Sequence, residues 1–145
     1  MISLNLEKFD QRTTVKPVVK VLLYNPLMNK DIEIPYEYYG IIDTGSDITC
    51  ICDKVIKELL LLESNETILN NDIKGKPFES SIREIDISIP GLFDSYITIE
   101  TGYFKDRFTR PGEKPIDILI GRDILKNCVT NYHGPNEIMT IEWLK

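Results

Sequence analysis

Ile41-Ile42-Asp43-Thr44-Gly45-Ser46-Asp47-Ile48-Thr49 is the stretch on which the fold turns. Two β-branched apolar residues run directly into an aspartate. A hydroxyl residue and a glycine follow, then a second hydroxyl and a second acid. The pattern predicts a buried strand that delivers one carboxylate into a tight loop. Gly45 has no Cβ, so the backbone can turn sharply there and another chain can come close. Thr44 and Ser46 supply hydroxyls able to hold the loop or to hydrogen-bond a carboxylate. The chain thus fixes Asp43 in place and leaves it partly solvated.

About 75 residues later comes Ile116-Asp117-Ile118-Leu119-Ile120-Gly121-Arg122-Asp123-Ile124-Leu125. This is an apolar strand that ends in Gly-Arg-Asp and opens a short helix. The two stretches, in this order and at this separation, resemble the paired signatures of the retroviral-type aspartic proteases, the retropepsins. The resemblance spans residues 15–144. It implies a mainly β fold: a small closed β-barrel with one or two short helices, residues 1–145 forming a single domain. Pepsin-like relatives carry two aspartate loops on a chain more than twice as long. Here no second Asp-Thr-Gly or Asp-Ser-Gly exists. The resemblance therefore implies a symmetric homodimer in which each copy contributes one Asp43.

The same resemblance implies site roles. Asp43, Thr44 and Gly45 are the catalytic triplet; Thr44 bonds across the dimer axis and Gly45 contacts the substrate main chain. Ser46 and Asp47 lie beside the substrate, and a Ser46 hydroxyl donating to Asp43 would favour its ionised form. Arg122 pairs with Asp47 through a bidentate fork and supports the loop. A plain surface ion pair is the alternative for these two residues, and Asp123 reads as a first-turn helix residue. The activity implied is hydrolysis of peptide bonds in a peptide or protein substrate by water activated between two carboxylates, with no metal or cofactor.

Composition narrows the classes of partner. At 145 residues the chain can bury a core without disulfide help, and its net charge is −6. Phosphate binding relies on Lys and Arg, so nucleic acid is not an expected partner. No run of 18 apolar residues exists, so no transmembrane helix and no membrane partner is expected. The first twelve residues lack a signal-peptide pattern. Cys50, Cys52 and Cys128 are an odd count, which fits a reducing, cytoplasmic setting. Cys50-x-Cys52 could hold a metal only with further ligands, and His133 is the single histidine. Asn65-Glu66-Thr67 is a glycosylation sequon that matters only in a secreted chain.

The rest of the chain is read by period. Ile2, Leu4 and Leu6 alternate as an edge strand or subunit contact. Residues 18–42 form a long hairpin feeding Asp43. Asp53 caps a packing helix with apolar positions Val55, Ile56, Leu59, Leu60 and Leu62. A hairpin follows, rising from Ile68 and Leu69, turning near Gly75 and returning along residues 82–89. By resemblance this is the flap, with Gly75 over the substrate; an ordinary surface hairpin is the alternative. Residues 103–115, with Arg107 and Arg110, read as a solvated loop. Residues 129–132 and 138–143 flank Gly134-Pro135-Asn136 in a last hairpin, its second strand exposed at an edge.

Two other functions compete. A dehalogenase-type phosphatase also opens on a strand ending in aspartate, but needs a second aspartate where Gly45 stands. A non-catalytic peptide-binding or dimerisation module on a degenerate protease fold is the second alternative, against which the intact Asp43-Thr44-Gly45 argues.

Overall fold

The structure, a computed structural model, describes residues 1–5, 17–63, 67–71, 74–109 and 111–144. In chain order these form β1 (Ile2–Asn5), β2 (Val18–Tyr24), β3 (Tyr36–Ile42), β4 (Cys50–Cys52), α1 (Asp53–Leu59), β5 (Thr67–Asn71) and β6 (Pro77–Ser81). There follow β7 (Arg83–Ile89), β8 (Phe93–Phe104), β9 (Ile118–Ile120), α2 (Arg122–Leu125), β10 (Cys128–His133) and β11 (Ile138–Trp143). Six strands close into a barrel in the order β2-β3-β9-β4-β8-β7. The expected mainly β closed barrel with short helices is what forms.

Closure follows from the sequence pattern. Val19, Val21 and Leu23 of β2 are buried, as are Ile85, Ile87 and Ile89 of β7 and Ile118 and Ile120 of β9. A sheet with so apolar an inner face must cover it, and curling on itself both covers it and removes the open edges. Helix α1 adds Val55, Ile56 and Leu59 to the same core.

The strand order has one consequence for the site. β9 runs parallel to β3, with Gly40 opposite Ile118 and Ile42 opposite Ile120. On its other side β9 runs antiparallel to β4, with Cys50 opposite Leu119. β9 thus lies between two strands that the chain joins directly through residues 43–49. That loop must cross the end of β9.

Several elements differ from expectation. β1 pairs with β11 of the same chain, Ile2 opposite Ile141 and Leu4 opposite Met139. β1 is thus an edge strand, one of the two readings expected of it, whereas β11, expected at an edge, is the middle strand of a β1-β11-β10 sheet. The apolar side chains of Ile2, Leu4, Met139 and Trp143 are the reason, since all pack on the core. The hairpin around Gly75 returns along β6, with Asn71 opposite Pro77, not along residues 82–89. Ile85, Ile87 and Ile89 are needed inside the barrel, so β7 pairs instead with β2 and β8. Asp53 is the first helical residue, and Cys52 stands at the cap without a side-chain bond. Leu60 takes a left-handed φ of 54° that ends α1 and breaks the helical period. Leu61 is consequently the buried residue, and Leu60 and Leu62 face solvent. Leu6, Asn65, Glu66 and Arg110 lie outside the described residues.

Arg107 is not simply solvated. Its Nε donates to Asp117 Oδ1 at 2.8 Å and its Nη2 to Oδ2 at 2.6 Å. Asp117 is 1% exposed and also accepts from Cys52 Sγ at 3.3 Å. A carboxylate so buried needs a paired cation, and removing one partner strands the other. Arg107→Ala is expected to lower unfolding stability by about 3 kcal/mol, read as a shifted urea midpoint.

Candidate active site

Asp43 stands at the point where β3 leaves the barrel. Its backbone N–H donates to Ile120 O at 2.9 Å, continuing the β3–β9 pairing past the end of the strand. Ser46 N–H donates back to Asp43 O at 3.2 Å and closes the turn. Within the turn, Gly45 N–H donates to Asp43 Oδ1 at 3.0 Å. Among the described residues Oδ2 makes no hydrogen bond. Asp43 is half-buried, while Thr44, Gly45 and Asp47 are exposed. One carboxylate oxygen is thus held in orientation by the turn.

The remainder of the loop is tied to the Gly-Arg-Asp stretch it crosses. Arg122 N–H donates to Ser46 O at 2.9 Å. Gly121 N–H donates to Thr49 Oγ1 at 3.1 Å, and Thr49 Oγ1 in turn donates to Asp123 Oδ1 at 2.7 Å. Thr49 N–H donates to the same Asp123 oxygen at 3.0 Å. Thr49 is fully buried, so its hydroxyl has to be satisfied by protein groups, and this relay does it. Gly121 is required by space: a Cβ there would lie 2.6 Å from the carbonyl carbon and oxygen of Ile48. The two sequence stretches thus form one hydrogen-bonded unit.

Arg122 Nη2 does reach Asp47 Oδ1, as expected. The contact uses one guanidinium nitrogen and not a fork, and the side chains are 56% and 85% exposed. It is an exposed ion pair, and the loop is held chiefly by the backbone bonds and the Thr49 relay. Ser46 departs from expectation. Its hydroxyl donates to Ile48 O at 2.7 Å, because the turn brings that carbonyl closest, and it does not donate to Asp43. Gly75 lies in the turn between β5 and β6 at φ +78°, with open space where a Cβ would sit. Those two strands form a two-stranded sheet separate from the barrel.

Thr49 and Asp123 were given no site role by the sequence. A threonine immediately before the buried run Cys50-Ile51-Cys52 was the available signal, since a hydroxyl entering a core strand demands a partner. Both cysteines are structural. Burial, with the Asp123 and Asp43 carboxylates adding, pushes the Cys50 thiol from 9.0 up to about 11. Burial likewise raises the Cys52 thiol from 9.0 to about 11. Thiols held protonated are poor nucleophiles and poor metal ligands. Among the described residues no helix is long and apolar enough to cross a membrane.

No protein-family model matches the chain, and no curated protein matches it in sequence. Among solved structures, the chain is similar to the retroviral protease-like domain of Ddi1 from Leishmania major. The identity is 13%, the match covers 88% of this chain and 94% of that chain, and the TM-score is 0.44.

Two outcomes are expected from this geometry. Gly121→Ala should destabilise the protein by about 2 kcal/mol or more, because backbone and not a flexible side chain must yield. Arg122→Ala should cost less than about 1 kcal/mol, as exposed pairs do. Urea unfolding of the two variants separates them. The raised thiols add a pH dependence. Their stabilisation is complete below pH 9, where the unfolded thiols are also protonated, and is lost as pH rises through about 11. Stability should fall across that window by on the order of 2 kcal/mol per thiol, and Cys50→Ala should flatten the fall.

Proposed function

We propose that this chain is an aspartic endopeptidase of the retropepsin type, active as a symmetric homodimer on peptide or protein substrates. The observation that carries the proposal is the state of Asp43. It is anchored through its own backbone to Ile120 and through Oδ1 to Gly45 N–H, with Oδ2 unengaged among the described residues. An oxygen left unengaged on a carboxylate so anchored is able to take up or give a proton. The closed barrel, the loop crossing β9 and the separate hairpin carrying Gly75 accord with the same reading.

One chain supplies one such carboxylate, and the chemistry needs two. Across a two-fold axis the exposed loops of two copies would face each other, the arrangement closed symmetry favours. Like charges held that close do not both ionise, so the pair shares a proton. The ionised Asp43 takes a proton from a water lying between the two. The protonated Asp43 of the second copy donates to the scissile carbonyl, and protons then pass to the leaving amine. Exposed Thr44 is available to bond across the axis, and Gly45 to meet substrate main chain. The hairpin with Gly75 at its turn would close over the substrate and exclude water. Since Ser46 donates to Ile48 O, Ser46→Ala should leave the pH profile in place.

Asp43→Asn keeps the size and removes the charge and the proton store. It should give a folded protein without cleavage of a peptide library. Activity of the wild type should be bell-shaped in pH, one carboxylate being needed in each form. Specific activity should fall on dilution, and refolding with excess Asp43→Asn chains should poison it, because a mixed dimer holds one ionisable loop aspartate. A monomer that keeps full specific activity on dilution, or cleavage retained by clean Asp43→Asn protein, overturns the proposal.

A further inference from the structure

Away from the Asp43 loop, the outer surface carries a groove of about 340 Å³ whose lining includes Leu27, Leu62, Ile82, Glu63, Glu84 and Glu100. Leu27 is 82% exposed and Leu62 76% exposed. Two leucines so fully in water beside one concavity form an apolar patch that the free protein leaves uncovered.

One wall of the acidic rim is uncompensated among the described residues. Glu84 and Glu100 stand directly opposite each other in the β7–β8 pairing, and both are exposed. Like charges in that relation destabilise a sheet. Among the described residues neither makes an ion pair or hydrogen bond. The next outward-facing pair on the same two strands is Asp86 opposite Thr98. There the fold does provide partners: Lys30 pairs with Asp86, and Thr98 Oγ1 donates to it at 2.5 Å. Glu63, at the other wall, is matched by Arg83 at 3.1 Å. Among the described residues, the fold supplies countercharge to the neighbouring acids and none to Glu84 and Glu100.

We propose that this groove docks a protein segment in which apolar side chains are flanked by lysine or arginine. The apolar side chain would cover Leu27 and Leu62, and the cation would sit between Glu84 and Glu100. Charge complementarity selects this occupant: an acidic segment would add to the existing repulsion, and a purely apolar one would bury two carboxylates without a partner. The site is separate from Asp43 and takes part in no bond breaking.

The test uses full-length Asp43→Asn protein, so that its outcome is independent of whether the chain cleaves peptides. An acetylated and amidated Lys-Leu-Lys-Leu-Lys-Leu-Lys peptide is titrated in while amide shifts are followed by NMR. Shifts are expected at Leu27, Leu62, Ile82, Glu84 and Glu100, with binding weakened by salt. Glu84→Gln/Glu100→Gln and, separately, Leu27→Ser/Leu62→Ser should each weaken binding roughly tenfold. The peptide with Glu in place of Lys should not bind. No binding of the lysine peptide, shifts confined to other surfaces, or unchanged affinity in both double variants overturns the proposal. Glu100→Gln alone supplies a readout free of any ligand: relief of the repulsion should raise the melting midpoint by about 2 °C. An unchanged or lowered midpoint would show that the free protein carries no unmatched acid pair there.

Discussion

The crossing of residues 43–49 over the end of β9 is the constraint on which the rest depends. A chain that joins β3 to β4 while β9 occupies the place between them must pass backbone over backbone. At the crossing, Ile48 and Thr49 lie so close to Gly121 that no side chain fits. The closeness lets Thr49 reach both Gly121 N–H and the Asp123 carboxylate, and lets Arg122 N–H reach Ser46 O. Those bonds fix the turn that presents Asp43. The carboxylate's position is thereby tied to barrel closure, because β9 is paired with β3 on one side and β4 on the other.

The parts legible in the sequence were those governed by short-range pattern. The apolar run into Asp43, the alternation of Ile85, Ile87 and Ile89, and the Gly134-Pro135-Asn136 turn each state their own local structure. The pairing of the two distant motifs was legible only through their resemblance to the paired signatures of a known family; the close crossing that requires Gly121 is seen only in the fold. What was not legible depended on partners brought together only by the fold. Arg107 reads as a loop cation until Asp117 is seen buried beside it. Leu60 and Leu61 are indistinguishable as letters, and the left-handed turn at Leu60 decides which is core. β6 carries Glu and Ser and lacks the apolar alternation that marks a strand, so pairing with β5 alone defines it. The Ser46 hydroxyl has one proton, and which acceptor receives it is set by distances within the turn that residue types do not encode.

The acidic residues sort by how the fold treats them. Asp86 has Lys30 and Thr98; Asp123 has two donors from Thr49; Asp117 has a two-pronged arginine and a thiol. These carboxylates are buried or half-buried, and desolvation would make any of them costly if left alone. With a net charge of −6, cations are too few for every acid to be matched. Burial makes partners necessary for these three, and some exposed acids, Glu37, Asp47 and Glu63 among them, hold a cation as well.

Asp43 and Asp117 bring this contrast to one pair of strands. β3 and β9 run parallel, with Gly40 opposite Ile118. Asp43 follows the last residue of β3, and Asp117 precedes the first residue of β9, so the two lie at opposite ends of the same ladder. Each continues the ladder by a backbone bond, Asp43 N–H to Ile120 O and Asp117 N–H to Tyr39 O. The side chains then diverge. Asp117 is inside, both oxygens taken by Arg107, and its position costs nothing in reactivity because it has none to offer. Asp43 is at the other end, where Gly45 N–H, two residues on, engages Oδ1 and, among the described residues, no donor comes to Oδ2. Under the proposed function that unengaged oxygen is the one that exchanges a proton, and a second donor would occupy its lone pairs. The ladder gives both aspartates the same backbone precision; burial and the number of donors found around each side chain among the described residues separate them.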